Sequence, residues 1–112
     1  HVLELNPQPG DHPSEAADKI IPAAQVVAIS GTTIPNHTLA EILNLANPNA
    51  YVLLLGPSTI LSPVLFGHGV DLLCGSVVTD IDPVIKTILE GGNFRQVHRA
   101  GVSLVCVSKS EL

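Results

Sequence analysis

Leu53-Leu54-Leu55-Gly56-Pro57-Ser58-Thr59-Ile60-Leu61-Ser62-Pro63 decides how this chain is read. The apolar run Tyr51 to Leu55 has no polar alternation. Such a run fits a strand covered on both faces, as in a parallel sheet. Gly56 and Pro57 end it, and Pro63 is placed to open a helix. Ser58, Thr59 and Ser62 then stand at the carboxyl end of that strand. In open α/β sheets this is the edge where ligands bind.

The same unit recurs on both sides. Val26-Val27-Ala28-Ile29 is a second buried strand, closed by Ser30-Gly31-Thr32-Thr33. Thr38-Leu39-Ala40-Glu41 has the capping-box pattern, with Leu39, Ile42, Leu43 and Ala46 as the inward face of the helix that follows. Upstream, Val2 to Leu5 is a short candidate strand, and the prolines of Asn6-Pro7-Gln8-Pro9-Gly10 exclude helix and central strand. A helix through Ala16, Ala17, Ile20 and Ile21 ends at Pro22. Downstream, Pro63 leaves room for about two helical turns before Gly67-His68-Gly69. Asp71 to Val78 reads as a strand, with Gly75 a bulge or a point of close approach. Ile81, Val84, Ile85, Ile88 and Leu89 follow the i, i+3, i+4, i+7, i+8 rule of an amphipathic helix, behind Asp80 and Asp82. Val102 to Val107 closes the series, and Ser108 to Leu112 is a tail. Strands alternating with helices predict a single α/β domain over 1–112: Rossmann-like, three-layered, with a mainly parallel sheet of about five strands.

Composition narrows the function. Only 13% of the 112 residues are charged, which implies that part of the surface is covered by another domain or subunit. A formal charge of −5 and the absence of a Lys/Arg cluster exclude a nucleic-acid backbone binder. No run is long and apolar enough to be read as a membrane span, and no basic-then-apolar leader is seen. The expected location is the cytoplasm. Cys74 and Cys106 lie far apart inside apolar runs, and the expectation is two buried, reduced thiols. The chain starts at His1 and has no methionine, which suggests a fragment or processed product.

Nucleotide fingerprints are absent: no Gly-x-Gly-x-x-Gly follows a strand, and no Walker-type loop occurs. Ser30-Gly31-Thr32-Thr33 with Asn36, and Gly56-Pro57-Ser58-Thr59, are the candidate ligand-binding turns, whose amides and hydroxyls could hold a polar or anionic ligand. The competing reading is that these hydroxyls only bond their own turns. For a metal, His37 and Asp80 are the candidates, with His12, His68, Asp11 and Cys74 behind them; no pair has His-x-x-x-His or Cys-x-x-Cys spacing. His12, His37 and Asp80 each follow a predicted strand and could converge on one edge. Gly-Pro-Ser-Thr is not the nucleophile elbow Gly-x-Ser-x-Gly, so no catalytic residue is assigned.

Glu4 to Asp11, Ile29 to Thr38, Gly56 to Pro63, and Gly69 through Asp80 together resemble the heavy-metal chelation domain family, bacterial and archaeal proteins of unknown function. The resemblance spans nearly the whole chain. It implies a Rossmann-like domain that follows an enolase-N-like N-terminal domain absent here, with a ligand site in the cleft between them. It also implies a divalent or heavy-metal ion as the ligand. Three functions therefore compete: binding or chelation of a metal or small polar ligand; a lyase, transferase or hydrolase acting on a polar or phosphorylated metabolite, with His37 or Asp80 titrating; and a structural module, potentially a homo-oligomer.

Overall fold

The computed structural model describes residues 1–111. Its elements are β1 (Leu3–Glu4), β2 (His12–Pro13), α1 (Ala17–Ile20), β3 (Val26–Ser30), α2 (Leu39–Leu45), β4 (Tyr51–Leu55), β5 (Leu72–Val78), α3 (Ile81–Leu89), α4 (Phe94–Gly101) and β6 (Val102–Ser108). Short 3-10 segments flank α1 and cover Gly31–Thr33, Pro63–His68 and Lys109–Glu111. Lys109 to Glu111 thus has helical structure where a plain tail was expected, while Leu112 lies outside the described residues.

The architecture is mixed α/β, and it corrects the expected sheet in three ways. The main sheet has four strands rather than about five, in the order β3-β4-β5-β6. β1 is not one of them; it pairs in parallel with β2 as a separate two-stranded sheet. The polypeptide also reverses at the end: β3, β4 and β5 are parallel, but β6 runs antiparallel to β5. The cause is α4, an element missing from the sequence reading. Asn93 and Gln96 form a reciprocal capping box at its start, with Gln96 N–H donating to Asn93 Oδ1 at 3.0 Å and Asn93 N–H donating to Gln96 Oε1 at 2.9 Å. The resulting α3-α4 hairpin returns the chain to the end at which β5 finished, so β6 starts opposite Val78 and runs back along β5.

The third correction concerns layers. Sheet residues alternate: Val27, Ile29, Val52, Leu54 and Leu73 are buried, whereas Val26, Ala28, Ser30 and Tyr51 are exposed. The buried set forms one core with Ile21, Phe66 and Val70, backed by Leu39, Ile42 and Leu43 of α2 and by Leu65 and Val107. This part of the sheet therefore has two layers, not three: Val52 and Leu54 are buried on the helix side, while on the other face Leu53 and Leu55 are half-buried and Tyr51 is exposed. Strand order supplies the reason. It advances in one direction from β3 to β5, so crossovers of the usual right hand all fall on the same side.

Candidate functional site

Thr59 is the centre of the carboxyl edge. It is 6% exposed and sits where neighbouring backbones come close. A Cβ added at Gly31, just after β3, would lie 2.6 Å from Thr59 N and 2.7 Å from its Oγ1. One added at Gly75, in β5, would lie 2.7 Å from Thr59 O. The turn after β4 is thus held between glycines of the two flanking strands. Gly56 makes that turn with φ +119°, a conformation other residues rarely adopt, and its N–H donates to Cys74 O at 3.1 Å. Thr59 N–H closes the turn onto Gly56 O at 3.0 Å. The two hydroxyl turns expected to share a site are therefore in direct contact, and Gly75 is a point of close approach.

That contact changes what the hydroxyls can do. Thr59 Oγ1 is buried, with no hydrogen-bond partner among the described residues. Ser30 Oγ and Thr32 Oγ1 bond each other at 2.9 Å, and Thr33 Oγ1 donates to Ser30 O at 2.7 Å. These bonds stabilise the turn itself. Ser30, Thr32, Asn36, Pro57 and Ser58 remain exposed at the strand ends.

The cavity of ligand size lies beside this edge, on the helix-covered side. It is a groove of about 590 Å³, lined by Thr33, Ile34 and His37 from the segment after β3, by Leu43 and Asn44 of α2, and by Ile60, Ser62, Leu65 and His68 from the segment after β4. Its walls are mainly aliphatic, with a few polar groups at the rim, the usual make-up of a small-molecule site. His37 has φ 60°, the one non-glycine residue in the left-handed region among the described residues. Its N–H donates to Ile34 O at 3.1 Å, so the turn that presents the imidazole is internally bonded.

His68, a secondary metal candidate in the sequence, is brought to the groove. Gly67-His68-Gly69 reads as a loop before a strand, and nothing local reveals that the 3-10 segment Pro63–His68 folds back beside α2. The only available hint was a ligand-capable side chain at the end of a short helix.

The expected convergence of His12, His37 and Asp80 does not occur. His12 is paired with His1, Nε2 to Nδ1 at 3.0 Å. Asp80 stands at the start of α3, packed where a Cβ on Gly101 would fall at 2.7 Å. Among the described residues no three His, Cys, Asp or Glu side chains gather around a point that could hold a metal ion. Neither His37 nor Asp80 belongs to such a group among the described residues.

The cysteines overturn a further expectation. Cys74 and Cys106 are not separate reduced thiols but a disulfide, joining residues directly opposed in the β5-β6 register with Cα atoms 4.0 Å apart. Distance in sequence concealed this, because antiparallel pairing through the α3-α4 hairpin is what brings them face to face. Neither is fully buried, and Cys106 is exposed. No helix among the described residues is long and apolar enough to cross a membrane.

Comparison with known proteins agrees with this architecture. A search of the curated proteins finds no match. A solved protein of unknown function from Desulfitobacterium hafniense DCB-2, of the DUF364 family, is 35% identical with a TM-score of 0.84, over 96% of this chain and 42% of its own. Another from Pyrococcus horikoshii, of the same family, is 24% identical with a TM-score of 0.84, over 96% of this chain and 46% of its own, and shows the shared fold. The chain thus spans less than half the length of either relative. The family model described as "DUF364: Putative heavy-metal chelation" matches residues 1–105. With nearly the whole sequence matched, the chain belongs to the DUF364 family.

Proposed function

We propose that this chain is the ligand-binding part of a longer, two-part protein, and that it takes a small polar ligand or a metal-ion complex in the groove beside the carboxyl ends of β3 and β4. The observation that carries this reading is the groove itself, where His37 and His68 arrive from segments that follow different strands onto one aliphatic lining. Two imidazoles are too few to chelate a metal alone. A metal would need further donors from its own complex or from the rest of the longer protein. Heavy-metal chelation, the family's description, enters in that form.

The parallel run β3-β4-β5 supports the finer Rossmann-like reading as one wing of such a sheet. The other wing, and the enolase-N-like domain, would belong to the part that the two relatives have and this chain does not span. The apolar ridge of α3 is suited to receive it. Ile81, Ile85, Ile88 and Leu89 are 62%, 51%, 57% and 81% exposed, and α3 starts directly beyond the end of β5. A domain seated there would stand over the strand ends.

The test is calorimetric titration with Zn²⁺ and Cd²⁺ of this chain and of the longer protein, wild type against His37→Ala and His68→Ala. The expected result is tighter binding by the longer protein, weakened about tenfold or more by either substitution. Equal binding by the wild type and both variants would remove the groove from consideration.

A further inference from the structure

The fold brings together one pair of soft donors, and it does so away from the groove. Cys74 and Cys106 oppose each other across the β5-β6 ladder. Cys74 alternates along β5 with the buried Leu73 and Gly75, so it points to the face of the sheet opposite the main core. Cys106 is exposed on the same face. Opposed antiparallel residues of the closely spaced kind, with Cα atoms about 4.5 Å apart, bring their side chains closest. Two sulfurs held in that way can close on each other as a disulfide, or on a small cation between them.

We propose that the Cys74–Cys106 pair, when reduced, is a two-coordinate site for a soft cation, with Cu⁺ as its type. The site is separate from the groove and does not rest on the reading given for it. Thiolate is the ligand class that selects Cu⁺ over harder cations. Among the described residues no three His, Cys, Asp or Glu side chains gather, whereas the two sulfurs are already held face to face.

The steps balance. A dithiol reductant gives two electrons and two protons to the disulfide and becomes a cyclic disulfide, leaving two protein thiols. Cu⁺ then forms two S–Cu bonds, and both thiol protons leave to solvent. The product is an S–Cu–S bridge in place of the S–S bridge, spanning the same two strands. Because both donors are fixed on one ladder, the second bond forms within the molecule. Losing either sulfur should therefore weaken binding by about 100-fold or more.

The experiment reduces the chain with a dithiol, removes the reductant without air, and titrates Cu⁺ against the chromogenic competitor bicinchoninate. Wild type is compared with Cys74→Ser and Cys106→Ser, and circular dichroism and Tm are followed throughout. The expected outcome is one Cu⁺ per chain, both thiols lost to alkylation together, a higher Tm for the reduced wild type with Cu⁺ than without, and a loss of affinity of about 100-fold in each variant. Two independent copper ions per chain would overturn the proposal. So would serine variants that bind as tightly as wild type, a disulfide that the dithiol cannot open in the folded chain, or a reduced chain that loses its strand signal and does not regain it with Cu⁺.

Discussion

Thr59 shows how a residue can be well placed by sequence while its surroundings stay hidden. Its position after a buried strand marked the carboxyl edge correctly. Its hydroxyl, however, is buried beside Gly31 and its carbonyl beside Gly75, and no local pattern could have shown that, because one glycine follows β3 and the other lies in β5. Gly31→Ala would place a methyl 2.6 Å from Thr59 N, against backbone that cannot swing aside. The expected loss is about 1–3 kcal/mol in urea unfolding. Thr59→Val keeps the shape and removes an unsatisfied polar atom, so stability should hold or rise by about 1 kcal/mol in the same assay. Thr38 carries the reverse lesson. Thr38-x-x-Glu41 matches a capping box, yet its side chain makes no cap bond. Thr38 already has ψ −10° and donates its N–H to Thr33 O, so it continues a turn and lacks the extended backbone an N-cap uses.

At the level of elements, periodicity identified β3, β4, β5, α2 and α3, because each is a local apolar pattern ended by glycine, proline or a hydroxyl. It missed α4, which is short and polar, although Asn93-x-x-Gln96 stood in the sequence as a legible cap. The capping box, not burial, defines where that helix begins. Asn93→Ala should cost about 1 kcal/mol and lower Tm, with the far-ultraviolet helix signal reduced. The direction of β6 was not legible, since a strand's own residues are the same whichever way it runs. Only the hairpin fixes it. The disulfide follows from that direction, and it closes a span of 32 residues containing both α3 and α4.

The whole molecule exposes more than its mass predicts. Its accessible surface is 7479 Å², against about 5,900 Å² for a compact monomer of this mass. Its radius of gyration is 15.8 Å, against about 13 Å for a chain of this length. The low share of charged residues already implied a covered surface. What sequence could not say was which surface, because the pattern Ile81, Val84, Ile85, Ile88, Leu89 reads the same whether a helix packs on its own core or waits for another. Here only Val84 is buried. Expressed alone, the chain is expected to self-associate through this ridge. The double substitution Ile85→Lys with Ile88→Lys should shift it to monomer in sedimentation velocity, with Tm changed by no more than a few degrees. An unchanged sedimentation profile would mean that the ridge is not the sticky surface.

Strand order has one more consequence, and it concerns time. In the order β3-β4-β5-β6 each strand pairs with those next to it in sequence. Within this sheet, β4 and β5 find their partners in the strands made just before and just after them. During synthesis β4 emerges to find β3 already present, β5 finds β4, and the hairpin then lays β6 on β5. Sheets whose central strand must wait for a distant partner expose unpaired edges while they wait. This one can be laid down from one side to the other at the pace of translation, with the cysteine bridge closing last.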